Sequence, residues 1–210
     1  MGTIRLKKVL WTCLGLISLG MAYIGVITPG IFTYTSTSGY SGLDTFRVTV
    51  TDGGLSDTIT IYVTVRPAPA AITGPGVVCA GYAITLADTS SGGVWSSVFT
   101  AIGTVGSATG IACGITPGLD TIKYTIGAGC RSIAILTVNP LPGAIVATPS
   151  GSICVGNTTT LTCPTNPGGT WTTSSGNATV GSSTGIVLGV NPGTAVIVYT
   201  LPTGCSRTYT

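Results

Sequence analysis

The 210-residue sequence predicts an all-β chain of tandem β-sandwiches with an incomplete β module at its N-terminal end. Three observations carry this expectation. A set of residue blocks recurs about 75 positions later, which marks an internal repeat. Short runs alternate apolar and polar residues with period two, the strand signature. Gly-Gly, Pro-Gly and Thr-Gly pairs separate those runs at turn positions. No stretch after residue 25 holds a helical period.

Residues 1–22 come first. Arg5, Lys7 and Lys8 precede an apolar run from Val9, and the small residues Gly20 and Ala22 close it. These are the three parts of a secretory signal peptide. The alternative is an uncleaved membrane anchor, because apolar character continues through Tyr23–Ile27 until Pro29 and Gly30 break it. Cleavage would remove three of the eight basic residues, leaving five against five acids and a net charge of zero.

Residues 23–66 read as a partial module. Phe46, Val48 and Val50 share one strand face, and Ile59, Ile61, Val63 and Val65 share another beyond the turn TDGGLSD. Only 44 residues separate Ala22 from Pro67, and a sandwich usually takes about 100.

The two repeats follow at 67–139 and 140–210. VVCAGYAITL matches SICVGNTTTL, GGVWSS matches GGTWTT, and GSATGIACGITPG matches GSSTGIVLGVNPG. DTIKYTIGAGC matches AVIVYTLPTGC. Ile122, Tyr124 and Ile126 alternate with polar residues, and Ile197, Tyr199 and Leu201 keep the same inward set. Trp95 recurs as Trp171, a core position in a sandwich, as are Tyr124 and Tyr199. Pro67-Ala68-Pro69 and Pro140-Leu141-Pro142 read as short linkers.

Cys79 and Cys130 bracket the first repeat as Cys154 and Cys205 bracket the second, each pair 51 residues apart. The economical expectation in an oxidising compartment is one bridge within each repeat, Cys79–Cys130 and Cys154–Cys205. Cys113 and Cys163 break the repeat, since their counterparts are Leu188 and Asp88. They read as small buried residues, with a cross-repeat bridge as the alternative.

The order V-C-x-G, G-G-x-W-[ST]-[ST], T-G-[IV], P-G, a Tyr strand and G-C resembles bacterial immunoglobulin-like (Ig-like) tandem repeats over residues 67–210. Such repeats occur in secreted and surface adhesin-type proteins, notably of Bacteroidetes. The pattern G-x-F-T-Y-T…G-Y-x-G-x-D-T-F…V-T-D-G in residues 30–66 resembles the C-terminal half of a cadherin-like adhesin repeat. The resemblance implies an extracellular stalk or adhesin module, with Ig-like sandwiches and no shared catalytic residues.

Composition points the same way. Charged residues make up 6% of the chain, against about 25% in an ordinary soluble domain. There is no histidine and no glutamate, and the five acids are Asp44, Asp52, Asp57, Asp88 and Asp120. The commonest general base, metal ligand and triad member are thus missing, which argues against an enzyme. A Ser–Lys pair would need Lys123, which the second repeat replaces with Val198. Too few Lys and Arg residues remain for a nucleic-acid footprint. Asp44, Asp52 and Asp57 around the Gly53-Gly54 turn are weak Ca²⁺ candidates, with plain turn chemistry as the competing reading. No other cofactor is expected.

The expected function is a non-catalytic, exported structural or adhesive segment of a bacterial cell-surface protein, a disulfide-stabilised spacer. Its expected partners are neighbouring Ig-like modules or subunits, surface glycans or other cell-surface proteins; membrane contact is expected only through the N-terminal segment. Two alternatives stand beside it: a carbohydrate-binding accessory region of a secreted polysaccharide-degrading enzyme, and a self-assembling fibre subunit. Cys130 is followed by a full last strand before Pro140, whereas only SRTYT follows Cys205. The expectation is therefore a piece of a longer array, or else sheet edges that pair with neighbouring subunits.

Overall fold

The computed structural model describes the backbone of residues 2–5, 13–16, 23–28, 31–51 and 56–210, and the side chains of residues 34–49, 58–127 and 129–210. The chain divides into two compact units, Met1–Ala68 with Ala128–Cys130, and Pro69–Gly127 with Arg131–Thr210. The described residues are almost entirely strand and turn, and the fold is all-β, of Ig-like sandwich type.

The first unit has six described strands: β1 (Gly2–Arg5), β2 (Cys13–Leu16), β3 (Tyr23–Thr28), β4 (Ile31–Thr35), β5 (Gly42–Thr51) and β6 (Ser56–Val65). They form two sheets, ordered β1-β4-β3 and β2-β5-β6. Strands β5 and β6 make an antiparallel hairpin in register from Gly42 opposite Val65 to Thr51 opposite Ser56. Their alternation buries Phe46 and Val48, against which Tyr34, Ile61 and Val63 pack. Two of the six strands, β1 and β2, lie within residues 1–22.

The second unit holds both repeats. The first contributes β7 (Val77–Cys79), β8 (Ala83–Thr85), β9 (Val94–Ser97), β10 (Gly103–Val105), β11 (Ile111–Gly114), β12 (Gly118–Thr125) and β13 (Arg131–Asn139). These form sheets ordered β7-β13-β12-β9 and β10-β11-β8. Strand β7 joins β13 in parallel, with Val78 opposite Val138. All other pairings within this repeat are antiparallel.

The second repeat contributes β14 (Val146–Thr148), β15 (Thr158–Thr162), β16 (Thr170–Thr173), β17 (Ala178–Val180), β18 (Ile186–Gly189), β19 (Ile197–Thr200) and β20 (Ser206–Tyr209). Its sheets are ordered β14-β15-β18-β17 and β16-β19-β20. Each repeat closes its own core. Ile122, Tyr124, Trp95, Ala112, Leu136 and Val138 fill the first. Leu161, Trp171, Val187, Ile197, Tyr199 and Leu201 fill the second. One asymmetry stands out: β19 and β20 have four residues each, where β12 has eight and β13 has nine.

Candidate functional site

Each repeat is organised around a Trp–Tyr pair. Trp95 and Tyr124 are paired across β9 and β12, and Trp171 and Tyr199 across β16 and β19. The ring centroids lie 4.7 and 4.4 Å apart in tilted contact, and all four side chains are buried. Such pairs add about 0.5–1.5 kcal/mol beyond the area they bury. Each tyrosine hydroxyl is also a staple. Tyr124 Oη donates to Ser90 O at 2.6 Å and accepts from Gly93 N at 3.0 Å. Tyr199 Oη donates to Asn166 O at 2.7 Å and accepts from Gly169 N at 2.8 Å.

These contacts explain two sequence motifs. A side chain at Gly93 or Gly169, in the Gly-Gly pair before each Trp, would enter the tyrosine ring. Gly110 and Gly185, of the Thr-Gly pairs, sit at φ 69° and 68° with the Trp ring against them. Only glycine takes that backbone conformation freely. The tryptophans are thus enclosed, and neither offers an open platform for a sugar ring.

Asp120 is the buried acid of the first repeat, 1% exposed. It accepts from Ser97 Oγ at 2.7 Å, Phe99 N at 2.8 Å and Thr121 N at 2.6 Å. The bonds to Ser97 and Phe99 tie β9 and the following turn to β12, and the bond to Thr121 lies within β12, so its role is structural. Asp88 likewise accepts from Ser90 N and Ser132 Oγ, and the buried Cys163 takes its place in the second repeat.

Two of the three Ca²⁺ candidates, Asp44 and Asp57, stand at opposite ends of one hairpin. Asp44 lies opposite Val63, and Asp57 lies opposite Val50, six rungs along the same hairpin. At about 3.3 Å per residue that is about 20 Å, whereas Ca²⁺ ligands sit within 2.6 Å of the ion. Asp44 is engaged locally, accepting from Tyr34 Oη at 3.0 Å and Thr45 N at 2.8 Å. Burial, that hydrogen bond and the Asp44 charge push the Tyr34 phenol up to about 12. Asp52 and the side chain of Asp57 lie outside the described residues. Among the described residues no group of three or more acidic or cysteine side chains could hold a metal ion.

The cysteines require a correction. The disulfide joins Cys79 to Cys205, with Cα atoms 5.7 Å apart, and so links one repeat to the next. Cys130 and Cys154 are unpaired, as are Cys113 and Cys163. The expected intra-repeat bridge fails on strand geometry. Cys79 lies opposite Asn139 at the far end of β13, whereas Cys130 immediately precedes Arg131 at its start. Eight residues of strand span about 26 Å, and a disulfide needs Cα atoms within about 7 Å. In the second repeat Cys205 is taken by Cys79, which leaves Cys154 without it.

The linker is held by the second repeat. Pro142 is fully buried, Gly143 N donates to Asn166 Oδ1 at 2.8 Å, and Cys163 Sγ lies 3.8 Å from Gly143 O. Sequence reading treats Pro140-Leu141-Pro142 as a spacer; the structure packs it against the second repeat. A cavity of about 430 Å³ opens at this seam, between Cys79, Tyr82 and Ile84 on one side and Thr203, Gly204 and Ser206 on the other. No motif announced it, because both walls are ordinary turn and strand residues.

The fold defines a class: Ig-like β modules, several in one chain. The bacterial Ig domain family matches residues 17–64, within the first unit. That segment is the one whose sequence carries cadherin-like motifs. No curated protein matches the chain. Among solved structures it is similar to domains 1–6 of the surface layer protein SbsC, at 16% identity and TM-score 0.32, over 92% of this chain and 35% of that one. It is also similar to the insect immune protein hemolin, at 16% identity and TM-score 0.32, over 89% and 60%. A third is protocadherin gammaB7 EC3-6, at 12% identity and TM-score 0.29, over 94% and 66%. The chain thus spans from about a third to just under two thirds of the length of these structures.

Proposed function

We propose that this chain is a non-catalytic structural segment of an exported bacterial surface protein, a spacer that holds modules at a set separation. Residues 1–22 serve export in this reading, and the partners are neighbouring Ig-like modules. No cofactor is part of it. The observation that carries it is the junction: the Cys79–Cys205 bond holds one sandwich to the next. A module whose job is to bind a small ligand has no need to lock its neighbour in place. The near-absence of charge fits a surface whose task is spacing rather than steering.

The test is a distance measurement across the junction. Spin labels are placed by unnatural amino acids at Ala108 and Ser183, equivalent exposed turn residues of the two repeats. A spacer gives one narrow distance distribution in the oxidised chain. A broad distribution would remove the spacer reading. Saturable binding to a polysaccharide array, lost on Tyr82→Ala, would favour the carbohydrate-binding alternative.

A further inference from the structure

The sheet β7-β13-β12-β9 of the first repeat turns one face to the core and the other outward, and the outward face is also apolar. Val77, Val94, Leu119, Ile133 and Ile135 lie on it and are 50–60% exposed. The register gathers them into one patch. Ile133 and Ile135 are successive outward residues of β13. Ile135 stands opposite Thr121, with Leu119 diagonal to it on β12 and Val77 on β7. Such diagonals are within reach of long side chains. Val98 follows β9 and is 41% exposed; its amide donates to Thr121 O. The outward residues between these are threonines, Ser96 and Lys123, and none is acidic.

The second repeat serves as an internal control. The counterparts of Val77, Val94, Val98, Leu119, Ile133 and Ile135 are Ser152, Thr170, Ser174, Thr194, Thr208 and Thr210. Only Thr121 and Lys123 change the other way, to Val196 and Val198. A repeat of this type therefore closes its core with Ser and Thr at these six outward places, so the patch of the first repeat is no requirement of folding. Its size is also telling. The exposed surface of the six side chains comes to roughly 550 Å², near the upper end of the largest apolar patch on an ordinary monomer. Two such faces together would remove about 1,100 Å² from water through these residues alone. The threonines and the lysine stems between them carry the total past the roughly 1,200 Å² at which specific interfaces begin.

We propose that this face is a pairing surface and that its occupant is the same face of a second copy of the chain. A two-fold axis near Ile135 sets the face against itself, so each apolar centre meets an equal one. Two sheets packed in this way lie about 10 Å apart, with their strands crossing at about 30°. The equivalent face of the second repeat, lined with Ser and Thr, offers no such cover, so the pairing runs from first repeat to first repeat. Lys123 and Arg131 are the charges the face carries. Across the axis they meet like charges, and salt screens that repulsion. The spacer role concerns the junction between the repeats and the pairing concerns an outer face, so either stands without the other.

The experiment is sedimentation velocity on the full chain, with its free thiols alkylated and its disulfide intact so that cysteine cross-links do not mimic a dimer. The expected result is a reversible monomer–dimer equilibrium that tightens as salt is raised. The double variant Ile133→Thr, Ile135→Thr copies what the second repeat carries at these places, and should weaken the dimer at least tenfold. Thr208→Lys, at the equivalent place on the second repeat, should leave it unchanged. Hydroxyl-radical footprinting should show oxidation of Leu119 and Ile135 falling as the dimer forms, and this tests the surface even if the double variant does not fold. Three results would overturn the proposal. One is a monomer at about 100 μM. Another is a dimer that the double variant does not weaken, or in which Leu119 and Ile135 stay open to oxidation. The third is a monomer in which both are already protected, which would put the patch under another part of the same chain.

Discussion

At the scale of single residues, the acids are fastenings. Asp120 gathers three donors in a buried place, and the second repeat has Ala195 there, with Asn177 tying the equivalent turn through Thr194 O. Asp120→Ala takes the acceptor from the Phe99 and Thr121 amides, while Ser97 Oγ keeps Gly103 O, so it should lower the stability of the first repeat by about 1–2 kcal/mol. Urea unfolding followed by Trp95 fluorescence checks this, and a loss under about 0.5 kcal/mol would mean that water replaces the carboxylate freely. Tyr34 is a titration marker for the first unit. Its phenol ionises near 12 rather than 10 because burial and Asp44 both favour the protonated form. A raised folded pKa means the stabilisation is complete below about pH 10 and fades as pH rises toward 12. Ultraviolet difference titration should show a tyrosine ionising near 12, and Asp44→Asn should move it down. An unmoved titration in that variant would assign the shift to burial alone.

At the scale of elements, alternation was readable and pairing was not. Ile122 and Tyr124, and Ile197, Tyr199 and Leu201, point inward as period two requires, and all five are buried. The same pattern placed Phe46 and Val48 in the first unit's core. The cysteines show the limit. A spacing of 51 residues looks like a loop to be closed, but says nothing about which end of β13 each cysteine meets. That depends on β7 joining β13 in parallel, a long-range pairing that local pattern does not encode. The strands within residues 1–22 were hidden for a related reason: a basic start with an apolar run is the export signature whatever else the segment does. The Ca²⁺ candidates looked close because a turn lies between them, while the register of the hairpin sets Asp44 and Asp57 far apart along it.

At the scale of the two repeats together, the Cys79–Cys205 bond changes how they unfold. It closes a loop of 126 residues, and the chain-entropy relation gives about 5 kcal/mol for a loop of that size. A bridge within one sandwich would stabilise that sandwich alone. A bridge between sandwiches instead couples them, because neither can expand fully while the other holds its end. The oxidised chain should therefore lose both repeats in one transition. Trp171→Phe and Trp95→Phe variants, which leave the other tryptophan as reporter, should give coincident urea midpoints. Reduction, or Cys79→Ser, should lower stability by about 2–5 kcal/mol and separate the two midpoints. Coincident midpoints after reduction would show that the packed Pro142 linker alone couples the sandwiches, and that the bond only reinforces a junction already made.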